Sequence, residues 1–76
     1  MIEMLDTVVL THDIEEHGLA MGDVGAVVDV YGAGEEYEVE FVTAEGYTVA
    51  LLTLSETDIR PMADKEILHV REVTAA

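Results

Sequence analysis

Seventy-six residues, half of them hydrophobic, make one small domain with enough apolar material for its own core, and the absence of cysteine excludes disulfides and thiolate metal sites. Seventeen acids against three bases give a formal charge of −14, which excludes a counterion-displacing grip on nucleic-acid phosphates and repels anionic lipid surfaces. The charge leaves open a basic protein partner, cations or plain solubility.

The three bases, Arg60, Lys65 and Arg71, all lie near the C-terminal end. No apolar run is long enough to span a bilayer. The segment Met1-Ile2-Glu3-Met4-Leu5-Asp6 lacks the basic flank and apolar stretch of a signal peptide, so a cytoplasmic location is expected.

In chain order, Thr7-Val8-Val9-Leu10 is a β-branched run and predicts a first strand. Thr11 to Met21 is polar, broken by Gly18, and predicts a long loop with a helical turn between Asp13 and His17. Val24 to Tyr31 predicts a second strand. Strict alternation puts Val24, Ala26, Val28 and Val30 on one face and Gly25, Val27, Asp29 and Tyr31 on the other. Gly32-Ala33-Gly34 predicts a turn.

Tyr37 to Val42 is the clearest strand: Glu36, Glu38 and Glu40 alternate with Tyr37, Val39 and Phe41, one wet face and one dry. Ala44-Glu45-Gly46 turns a hairpin into a fourth strand, Tyr47 to Leu54, with apolar groups on both faces. Either both faces are covered or one is a patch for a partner. Ser55 to Asp58 suits a 3₁₀ turn. Ile59-Arg60-Pro61 reads as a short final strand whose proline fits an edge. Residues 62–76 form a C-terminal extension, a sixth strand or a short helix, with part of it expected to be disordered.

These pieces together, Leu5 to Leu10, Gly18-Leu19 with Gly22-Asp23-Val24-Gly25, Tyr37 to Phe41, Thr53-Leu54 and Asp58 to Pro61, resemble the DUF4926 family of small bacterial domains. The resemblance ends at Pro61. It implies an all-β, SH3-like five-stranded barrel over residues 1–61 and brings no catalytic residues. It also implies a toxin–antitoxin style setting, in which the domain would be a neutralising partner. Gly22 to Val28 is similar to the glycine-turn-strand segment of KOW-type barrels, but the charge opposes the RNA binding which that similarity implies.

His12, Asp13, Glu16 and His17 sit in one loop, and imidazole with carboxylate can hold zinc or nickel. The two histidines are not spaced to share a helix face, and a solvated acidic loop with two exposed histidines is the better account of the segment. No metal and no cofactor is expected. The tyrosines come without tryptophan, so a polyproline groove is not expected either. No serine, histidine and acid form a nucleophile motif, and no glycine loop cradles phosphate. The domain is therefore expected to be non-catalytic.

Glu36, Glu38 and Glu40 project from one strand face. With Glu35 and Asp29 beside them, they are the candidate seat for a basic protein. Ala50 and Leu52 are the candidate apolar contacts of the fourth strand. The alternative readings are a DNA mimic, whose carboxylates stand in for phosphates on a DNA-binding protein, and a self-associating domain that forms a homodimer.

Overall fold

Alternation of acids with aromatic and aliphatic residues from Glu36 to Val42 buries Tyr37, Val39 and Phe41 and leaves the glutamates on the opposite side of strand β3. The computed structural model describes residues 2–73. The other strands are β1 (Thr7–Leu10), β2 (Val24–Tyr31), β4 (Thr48–Ser55) and β5 (Ile59–Pro61), with one 3₁₀ turn at Glu15–His17. All pairings are antiparallel, and the order across the sheet is β4-β3-β2-β1-β5. The protein is all-β, as expected.

The sheet is not closed by hydrogen bonds. β5 pairs along one edge with β1, and among the described residues no ladder joins its other edge to β4. The turn between β4 and β5 is pinned by Asp58 N–H donating to Ser55 O (3.0 Å) and Ser55 N–H donating to the Asp58 carboxylate (2.9 Å). Pro61 stands on an edge strand, where a missing N–H costs least.

The core gathers Val8 and Leu10 of β1, Val27 of β2, Tyr37, Val39 and Phe41 of β3, Ala50 and Leu54 of β4 and Ile59 of β5, closed at its ends by Ile2 and Leu19. Gly25 belongs to this face as well: its backbone lies against Val39 and Phe41. Gly18 takes φ +69°, which ends the 3₁₀ turn and lets Leu19 fold back to pair with Ile14.

Two irregularities set which residues face out. Between Val27 and Asp29 the β2–β3 register slips by one, so Val28 is an extra residue. Gly25 and Val27 face the core before it; Val30 packs on the core after it, and Asp29 and Tyr31 face out. The strict alternation expected for β2 therefore holds only up to Val27. A second slip, between Phe41 and Val42, leaves Val49 as the extra residue of β4.

The C-terminal extension is neither strand nor helix from Met62 to Val73, and residues 74–76 lie outside the described part. Val9 points away from Val8 and Leu10 and is buried all the same, and Met62, Ile67 and Leu68 of the extension line a shallow pocket beside it. Two ion pairs hold this segment. Arg60 donates twice to Glu66 (2.8 and 2.6 Å), and Arg71 donates to both carboxylate oxygens of Asp23 and to Gly18 O.

Candidate functional site

The outer face of β2, β3 and β4 is built in rows of register partners. Tyr31, Glu36 and Ser55 form one row; Asp29, Glu38 and Thr53 the next; Ala26, Glu40 and Leu51 the third. Four carboxylates thus share one open surface, and the bulge at Val28 is what brings Asp29 into it. The Thr53 hydroxyl donates to Glu38 Oε1 (2.6 Å) and the Thr48 hydroxyl to Glu40 Oε2 (2.8 Å). Both bonds draw the carboxylates toward β4. Glu35 lies in the turn between β2 and β3, its N–H donating to Tyr31 O (3.3 Å).

Among the described residues, no Lys or Arg pairs with Asp29, Glu36, Glu38 or Glu40, because Arg60 and Arg71 are committed to Glu66 and Asp23. The field shows in Tyr31. Its phenol is pushed above the ordinary value, first by lost hydration and then by the charges of Glu38 and Asp29, which oppose a further negative group.

Ala50 and Leu52 face the core rather than the open side of β4. They stand opposite Phe41 and Val39, so pairing with β3 turns them inward; Ala50 is buried and Leu52 half-buried. The open face of β4 instead carries Leu51, which is 52% exposed. Apolar residues on both faces of β4 hide this choice from pattern alone, and the Glu40–Leu51 pairing decides it.

The histidine loop does not converge. Among the described residues, no group of three or more His, Asp or Glu side chains is placed to hold an ion. Asp13 Oδ1 accepts the Met21 N–H (2.8 Å), and Glu16 and His17 are exposed in the 3₁₀ turn. His12 reaches across the fold: Nε2 donates to Asp58 Oδ1 (2.8 Å) and Nδ1 to Asp13 O (2.9 Å). Two acceptors on one imidazole are satisfied in full only by the imidazolium. His12 is accordingly raised above 6.5, chiefly by Asp58 and then by the Asp13 carbonyl, and Asp58 is lowered below 3.8, chiefly by His12 and then by the Ser55 amide.

This pair links stability to pH. A raised His12 contributes fully below 6.5 and loses its contribution as pH rises through its folded value. A lowered Asp58 contributes above 3.8 and loses its contribution as pH falls through its folded value. Urea unfolding of the wild type and His12→Gln at about pH 5.5 and about pH 8.5 checks this. The gap between the two proteins is expected at the lower pH and is expected to shrink at the higher. An equal gap at both would remove the ion pair from the account.

Asp23 is paired with the C-terminal extension, away from the acidic face. Burial pushes it upward, but Arg71 and the Ala20 N–H (2.9 Å) outweigh burial and hold it below the usual value. Glu66 is lowered to about 2, first by Arg60 and then by the Ala63 amide. Beside the Arg71 anchor, the tail and the ends of β2 and β3 enclose an open cleft of about 670 Å³, lined by Val24, Phe41, Val49, Leu68 and Val70 among others. The links of Asp23 to Arg71 and of His12 to Asp58 are not legible in sequence, since the partners stand more than forty residues apart.

Among the described residues, no helix is long and apolar enough to cross a membrane. No curated protein and no solved structure matches the chain. The family model described as a domain of unknown function, DUF4926, matches residues 4–61, from the turn before β1 to the last residue of β5, and the chain belongs to that family.

Proposed function

We propose that the domain is a non-catalytic protein-binding module, an acidic antitoxin-like or regulatory partner whose outer sheet face receives a basic protein. One observation carries this reading: Asp29, Glu36, Glu38 and Glu40 share a surface, and no described base neutralises them. Uncompensated charge of one sign attracts its opposite over a Debye length and sets register on contact.

Capture from the native host lysate, with washes at low and at high salt, tests it. One dominant basic protein, lost at high salt, is expected. With that protein in hand, Glu38→Lys with Glu40→Lys should weaken binding by roughly tenfold or more, about 1.4 kcal/mol, and flatten its salt dependence. Unchanged affinity in a folded double variant would refute the reading. Competition by duplex DNA for the same partner site would make the domain a DNA mimic instead.

A further inference from the structure

A sheet has two edges, and folded proteins protect them against stray pairing. β5 is protected: it has three residues, ends in Pro61, and carries Arg60 tied to Glu66. β4 is not. It has eight residues, Thr48–Ser55, with no charge and no proline. Among the described residues, no backbone hydrogen bond from Thr48 to Leu54 leads anywhere but into the ladder with β3. Beyond the bulged Val49, Ala50 to Leu54 is regular chain with one side unpaired, and the Asp58 turn takes up Ser55.

We propose that this edge docks an extended segment of the basic partner as a sixth strand. The inference rests on the acidic face as the seat of that partner and adds how the partner is held. Charge complementarity names the occupant. Glu40, Glu38 and Glu36 stand directly beside Leu51, Thr53 and Ser55 of β4, and the first two are drawn toward β4 by threonine hydroxyls. A strand added outside β4 would lie two strand spacings, about 9–10 Å, from β3. A Lys or Arg side chain and a Glu side chain together span that gap across the uncharged β4.

The other side of the added strand would meet Leu52, half-buried at the rim of the core. The segment that fits therefore alternates Lys or Arg with aliphatic residues: basic positions outward over the carboxylates, aliphatic positions inward against Leu52. Backbone pairing supplies affinity and the alternation supplies specificity.

The test uses an end-blocked peptide alternating lysine and valine, with two analogues N-methylated at every lysine or at every valine. Successive amides of a strand point to opposite edges, so one analogue should lose binding and the other keep it. The parent peptide should slow amide exchange and shift resonances along Ala50 to Leu54. The analogue methylated on the docking side should bind at least about tenfold more weakly. Equal binding by all three peptides, with loss on Glu38→Lys/Glu40→Lys, would overturn strand addition and leave the acidic seat standing. No binding of the parent peptide would overturn the docking strand, while lysate capture separately decides the acidic seat. Shifts along β4 that depend on protein concentration without peptide would overturn the basic occupant in favour of a second copy.

Discussion

Phe41→Ala is expected to cost about 3–5 kcal/mol. A chain of this length holds only about 4–11 kcal/mol in total, so the variant should be close to unfolded at room temperature. Phe41 is the one phenylalanine and is almost wholly buried on β3, opposite Ala50 and against the backbone of Gly25. Neither neighbour has atoms to move into the space a lost ring would leave. Ladders on both sides of β3 hold the backbone, so the cavity cannot collapse. Urea unfolding should show a fall in midpoint with the slope preserved. A cost below about 1 kcal/mol would mean that the ring is not part of the core.

Gly25→Ala is expected to destabilise by about 1–3 kcal/mol, although glycine-to-alanine changes in compatible backbone often stabilise by restricting the unfolded chain. The close approach decides the sign. A Cβ at Gly25 would lie 2.7 Å from Val39 Cγ1 and 2.8 Å from Phe41 Cε1. Val39 is fully buried and β-branched, so its methyl cannot swing aside. Combining Gly25→Ala with Val39→Ala should therefore cost less than the sum of the two single changes, because the new methyl enters the volume given up. Additive costs in the double variant, measured by the same urea titration, would place the clash elsewhere.

Much of the fold was legible in the sequence because it depends on local pattern. Thr7–Leu10, Val24–Tyr31 and Ile59–Pro61 have the bounds their β-branched runs and flanking breakers predict, β3 begins one residue earlier than expected, and β4 is displaced by one residue at both ends. The outward placement of Glu36, Glu38 and Glu40 followed from period two. What pattern could not supply was phase and distance. The slip at Val28 reverses the faces of Asp29 and Val30, and nothing in Val27-Val28-Asp29 announces it. The inward turn of Ala50 and Leu52 needs the pairing with β3. The His12–Asp58 and Arg71–Asp23 contacts need the whole chain folded, since no local rule joins loop one to the β4–β5 turn or to the tail.

The extra residue in β2 behaves like a frameshift in space. Were Val28 paired regularly instead of bulged, no charge and no core side chain would be lost, yet downstream positions would exchange sides: Asp29 and Tyr31 would be driven toward the interior and Val30 out to water. Burying an unpaired carboxylate costs far more than an exposed valine, so the spacing is held in place by the penalty on Asp29 itself. The acidity of the outer face is thus a matter of register as much as of composition, and a strand of the same residues without the bulge would present a different surface.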